Sequence, residues 1–132
     1  MPRRPAAPIL VVEDNAETRD ALRMVLEDEG YAAATAANGK QALDYLRHRG
    51  PVTMVLLDLR MPVMDGWALC RALQADPALA EIPVVALSEH LDGDVPGTVA
   101  TVRKATLDPP LFLSLIERVA LQGTTRSRLE SN

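Results

Sequence analysis

Three carboxylates, a hydroxyl and an amine in this chain fall within two residues of the ends of short apolar runs, and that placement is where chemistry is expected. Glu13 and Asp14 follow ILVV at 9–12, Asp58 closes the run MVLL at 54–57, Ser88 follows VVAL at 84–87, and Lys104 follows a fifth, weaker run at 99–102. If the runs are strands of an open parallel sheet, these residues share the rim at which such sheets bind ligands. Carboxylates gathered there repel by on the order of 4 kcal/mol gross per pair at ~4 Å and an effective dielectric of ~20. A hard divalent cation offsets that repulsion. Oxygen donors with room for waters favour Mg²⁺, and with only His90 nearby, zinc has little to bind it. Such a metal would bridge Asp58 to an incoming phosphate, while Lys104 neutralises the added charge and Ser88 hydrogen-bonds a phosphoryl oxygen. A carboxylate that forms an acyl phosphate needs little beyond positioning and electrostatics, so Asp58 is the candidate acceptor.

The elements that must hold these groups are legible as alternation. The runs at 9–12, 54–57 and 84–87 are continuously apolar, as strands covered on both faces are, while 32–36 is alanine-rich and 99–102 mixes Thr with Val as an edge strand does. Between them Leu22, Val25 and Leu26 recur at helical spacing, as do Ala42, Leu43 and Leu46, then Ala68, Leu69, Ala72 and Leu73. A last helix opens with Asp108 as a cap and Pro109 or Pro110 in its first turn, presents Phe112, Leu115, Ile116 and Val119 on one stripe, and is expected to end near Gly123. The expectation is an α/β fold with a parallel sheet wrapped by helices. Between Leu87 and Val99 the segment SEHLDGDVPGT has no apolar stripe, so the crossover there is expected to be a short irregular helix or a loop. Residues 1–7 read as a loose leader, 8–122 as one domain, and 123–132 as a polar tail or linker.

Composition excludes several functions. The 132 residues suit one core, with 48% apolar residues but one Trp, two Tyr and one Phe, so that core rests on aliphatic packing. A net charge of -4 gives no field to hold a polyanion, which argues against nucleic-acid binding by this domain. The single Cys70 cannot form an internal disulfide, and no apolar run reaches the ~20 residues of a membrane span, which together fit a cytoplasmic protein.

Each residue taken alone has a plainer reading. Asp14 or Asn15 serves as a helix cap, Lys104 as a solvated strand end, the methionines Met54, Met61 and Met64 as packing, Cys70 as a core thiol, and His48 as a surface residue. Asp58 resists this treatment, because a charged group closing a buried strand is uncommon unless paired or liganded. The conjunction of separated segments favours a metal and phosphate site.

The segment LLDLRMPVMDGW at 56–67 resembles the phosphoacceptor signature of response-regulator receiver domains, and VVEDN at 11–15 resembles their acidic pair. The resemblance spans residues 8–122. It implies a flavodoxin-like, doubly wound, five-stranded parallel sheet in order 2-1-3-4-5, with the fourth helix short or missing here. It implies phosphorylation of Asp58, direct Mg²⁺ ligation by Asp14, Asp58 and the backbone carbonyl of Arg60, and a role for Glu13 through water. Ser88 and Lys104 match the family's hydroxyl and lysine, and Met61, Pro62, Asp65 and Gly66 match the loop that shapes the site. Arg60 and His90 occupy the positions that tune phosphate lifetime. Implied partners are a histidine kinase or histidine phosphotransfer protein and a downstream protein effector, with the domain a monomer or weak homodimer. It takes phosphate on itself and is not a turnover enzyme.

Four departures from the family pattern fall together. Glu89 replaces a small residue, Ala105 stands where a proline usually follows the lysine, and Thr101 replaces an aromatic residue that moves during activation. The stretch from Ser88 to Lys104 is also roughly six residues short, ~9 Å of helix. All lie on the output side, so the sequence predicts retained phosphorylation with altered readout. The rival is a pseudo-receiver, a protein-binding module that no longer uses phosphate. A dehalogenase-type phosphotransferase needs an acid where Arg60 stands, and a flavodoxin-type carrier needs a phosphate loop where EDNAE would repel the anion.

Overall fold

The computed structural model describes residues 5–61, 63–88, 95, 97–103 and 108–130, the last eight of these by their backbone alone. The continuous apolar runs become the inner strands. β1 is Ile9–Val12, β3 Met54–Asp58 and β4 Val84–Ser88, every residue of them buried. The alanine-rich β2 at Ala33–Ala36 and the mixed β5 at Ala100–Arg103 are only partly buried and lie at the edges. All pairings are parallel, and the order is β2-β1-β3-β4-β5. This is the expected doubly wound arrangement.

Strand alternation divides the apolar residues between two layers. Leu10, Val12, Val55, Leu57 and Ala86 pack against α2 (Gly39–His48) and α3 (Gly66–Ala75) through Leu43, Leu46, Leu69 and Leu73. On the opposite face Ile9, Val11, Met54, Leu56, Val85 and Leu87 meet Leu22 and Leu26 of α1 (Ala16–Asp28) and Phe112, Ile116 and Val119 of α4 (Pro109–Glu130). A one-residue slip of any inner strand would exchange the layers, which fixes the register and therefore the rim.

Side-chain caps start three of the helices, and of these caps the sequence suggests only Asn15, as an alternative to Asp14. Asn15, Asn38 and Asp65 are the N-caps, their side chains accepting from the amides of Thr18, Gln41 and Ala68 at 2.9 Å each. At the fourth, the Asp108 carbonyl accepts the first helical bond from the Phe112 amide at 2.8 Å. Two expectations on boundaries are corrected. α4 does not stop near Gly123 but runs to Glu130, since a helical glycine costs only about 1 kcal/mol and Arg126, Arg128, Leu129 and Glu130 beyond it are favourable helix formers. β5 begins one residue later than the apolar pattern indicated, its pairing with β4 starting at Ala100 opposite Val85. Between β4 and β5 no helical residue occurs among those described, while Val95 is buried against the α2 and α3 layer and accepts from the Thr98 amide at 3.2 Å. Among the described residues no helix is long and apolar enough to cross a membrane.

Cys70 is the buried thiol expected, packed in the α2 and α3 layer. Burial raises its pKa from 9.0 to about 11, against a smaller lowering by Arg71. The folded state therefore prefers the neutral thiol, a preference fully present below pH 9 and lost as pH climbs towards 11. Unfolding free energies of the wild type and Cys70→Ala from urea titrations between pH 8 and 11 should converge by about 2 kcal/mol, the wild type losing more with rising pH.

Candidate functional site

The carboxyl ends of β1 and β3 bring the acids together. Val12 lies beside Leu57 in the register, so the next residues, Glu13 and Asp58, stand side by side as their strands leave the sheet. Asp14 begins the turn into α1. One carboxylate oxygen from each of Glu13, Asp14 and Asp58 can be chosen so that all lie within 4.8 Å of one another. Glu13 is 1% and Asp58 4% exposed, whereas Asp14 opens to solvent. Two of three acids are thus removed from water, where like charges interact most strongly.

The donor set fits Mg²⁺. It consists of hard carboxylate oxygens with no sulfur or nitrogen in the cluster, and the exposed Asp14 leaves one side for waters. Mg²⁺ binds oxygens at about 2.1 Å, so two direct ligands stand at most ~4.2 Å apart, and a spread up to 4.8 Å leaves room for one carboxylate to act through water.

Neighbouring residues hold the cluster in place. The Arg60 amide donates to Asp58 Oδ1 at 3.2 Å, which turns the chain back over Asp58. The Arg60 guanidinium then lies 5.9 Å from the Trp67 ring centroid, a cation–π distance. Asn15, not Asp14, caps α1, so Asp14 is not occupied by that duty. Arg19 reaches back from α1, its Nη1 donating to the Glu13 carbonyl at 3.0 Å and to the Asp14 carbonyl at 3.4 Å. Nothing in the sequence singled out Arg19; its place one turn into α1 behind the acidic pair is the only signal.

Ser88 ends β4, 1% exposed, one residue beyond Leu87, which pairs with Asp58. It therefore sits on the same rim, a strand away from Asp58. Lys104 lies outside the described residues, as do Pro62, Glu89, His90 and Ala105. Thr101 is an exposed residue of β5. Met54 and Met61 are buried and Met64 packs against the core, so the methionines serve as packing; His48 is exposed at the end of α2.

The loop joining Asp58 to α3 folds tightly. The Gly66 amide donates to the Leu59 carbonyl at 2.9 Å, and a Cβ on Gly66 would lie 2.7 Å from Leu59 Cα and 3.0 Å from the Asp58 carbonyl oxygen. A side chain at Gly66 would therefore push on the backbone of Asp58 and Leu59. Val63 has φ 71°, a left-handed conformation that a β-branched residue adopts only under constraint, and its side chain is 80% exposed.

A family profile described as the response regulator receiver domain matches residues 9–105. The chain belongs to that family, the signalling receivers of two-component systems. The DNA-binding response regulator MtrA of Mycobacterium tuberculosis is 42% identical over 84 residues, which make up 64% of this chain and 35% of MtrA. A 14.6 kDa protein encoded in the sodA1 3' region of Leptolyngbya boryana is 42% identical over 82 residues, 62% of each chain. This chain thus spans less than two thirds of either relative. The solved receiver domain of the sensor histidine kinase PA1611 from Pseudomonas aeruginosa, which has a magnesium ion coordinated in its active-site cleft, superposes with a TM-score of 0.79 at 25% identity, over 88% of this chain and 98% of that one.

Two substitutions check the energetics of the site. Asp58→Asn removes one of three crowded charges and should raise the thermal midpoint in metal-free buffer, by on the order of 1 kcal/mol, with the gain shrinking as Mg²⁺ is added. Val63→Asn, which tolerates the left-handed conformation, should stabilise the fold by about 1 kcal/mol in a urea titration.

Proposed function

We propose that this domain accepts a phosphoryl group on Asp58 from a phosphohistidine of a histidine kinase or phosphotransfer protein, in a Mg²⁺-dependent step that switches its contacts with a downstream protein. The observation that carries the reading is the meeting of Glu13, Asp14 and Asp58 within 4.8 Å at the rim of a receiver fold. Asp14, Asp58 and the Arg60 carbonyl would hold the metal directly and Glu13 through water. The bound ion would neutralise the charge that develops on the transferring phosphoryl oxygens.

The remaining work belongs to the chain itself. An Asp58 carboxylate oxygen attacks phosphorus, the P–N bond of the donor breaks, and the imidazole nitrogen keeps the electron pair. The Arg60 amide, on Asp58 Oδ1, would help fix the orientation of the carboxylate that attacks. Ser88 would donate its hydroxyl to a phosphoryl oxygen, and Lys104 would balance the charge added to the rim. The domain ends the step phosphorylated and does not turn over.

The output side is read as altered, on the strength of Glu89, Thr101, Ala105 and the short β4 to β5 connection. A protein effector is favoured over nucleic acid by the charge of -4. The domain is read as a cytoplasmic monomer or weak homodimer.

Incubating the protein with Mg²⁺ and acetyl phosphate should add one phosphoryl group by intact mass. Asp58→Asn or a chelator should abolish the gain, and Asp14→Asn should slow it by about tenfold or more. A folded wild type that takes up no phosphate under these conditions favours the pseudo-receiver reading instead.

A further inference from the structure

Gly39 is the first residue of α2 and is buried, although it belongs to none of the segments that supply the acids. Its amide donates to the Met64 carbonyl at 3.1 Å, joining the start of α2 to the loop between Asp58 and α3. The two backbones approach so closely that a Cβ on Gly39 would stand 2.6 Å from the Met64 carbonyl oxygen, 2.7 Å from its Cγ and 3.0 Å from its Cβ. The nearest of these is main chain, so rotating the Met64 side chain would not make room. Met64 in turn packs against the core layer beneath α2 and α3.

The loop is thus held at two places. Its base is closed by the Gly66 amide on the Leu59 carbonyl, within the loop's own ends. Its far end is held by Gly39, from a different crossover. Val63, at φ 71°, lies immediately before the held residue and keeps its left-handed backbone between these anchors. Arg60 lies in the same loop, its amide on Asp58 Oδ1 and its guanidinium over Trp67. A push at Met64 must be absorbed between Val63 and Arg60, since Gly66 has no space against Leu59 and Asp58.

We propose that Gly39 is a positioning residue for the metal site: its missing side chain lets α2 clamp the Met64 carbonyl and so fixes the loop that presents Arg60 beside Asp58. The proposal rests on the reading that Mg²⁺ binds Asp14, Asp58 and the Arg60 carbonyl. Mg²⁺ demands near-ideal octahedral geometry, so a loop displaced by a fraction of an ångström loses affinity without losing the fold.

Mg²⁺ binding is measured by calorimetry on the wild type, Gly39→Ala and Gly50→Ala. Gly50 has φ 107° and nothing within 4 Å of a Cβ, so its substitution strains the backbone after α2 without touching the loop. Gly39→Ala should weaken Mg²⁺ binding by about fivefold or more, while Gly50→Ala binds as the wild type does even where its thermal midpoint falls equally. Equal Mg²⁺ affinity in Gly39→Ala and the wild type overturns the clamp alone, as does an equal loss in Gly50→Ala. A wild type that binds no Mg²⁺ overturns the metal reading and the clamp with it. Should Gly39→Ala fail to fold, hydrogen exchange of the Gly39 amide in the wild type decides: reciprocity requires its protection to rise with Mg²⁺ by more than that of amides remote from the site, and a rise no larger than theirs overturns the proposal.

Discussion

Repulsion among Glu13, Asp14 and Asp58 is the constraint around which the molecule is arranged. Two of these side chains are nearly fully buried at the ends of strands whose other residues are apolar, a position that opposes their charge from both solvation and mutual interaction. The sheet can hold them there because its inner strands are covered on both faces and cannot slip without exchanging two complete apolar layers. The fold therefore supplies the stability, and the rim uses part of it to keep negative charge concentrated in one cluster.

Neighbouring backbone geometry turns that concentration into a defined site. Arg19 holds the carbonyls of the acidic pair from α1, the Arg60 amide holds Asp58, and Asn15 takes the capping duty that Asp14 would otherwise share. In the loop after Asp58, close approaches at Gly66 and Gly39 and the left-handed Val63 describe a segment held under constraint. Residues that touch no ligand thereby set the geometry of those that would.

Much of this was legible in the sequence. ILVV, MVLL and VVAL identify the buried strands to within a residue because continuous apolar runs admit few other placements, and the acids that end two of them mark the rim. Weak patterns were read less sharply: β5 is shifted by one residue, and Gly123 suggested a helix end that α4 passes through. The clamp of Gly39 on Met64 was not legible, since it joins segments far apart in the chain by the absence of an atom rather than by a chemical group. Arg19 escaped for a related reason, because an arginine on an amphipathic helix looks like any solvated charge until its carbonyl partners are known. The departures at Glu89 and Ala105, like Lys104, lie outside the described residues, and the reading of the output side rests on sequence.

A thermal unfolding series in increasing Mg²⁺ at constant ionic strength tests the central claim most directly. If the three carboxylates form a cation site present only in the folded state, the midpoint rises with the logarithm of Mg²⁺ concentration once binding saturates, by about 1.4 kcal/mol of stability per tenfold, and Asp14→Asn flattens the response. A midpoint that stays level from micromolar to tens of millimolar Mg²⁺ would contradict it.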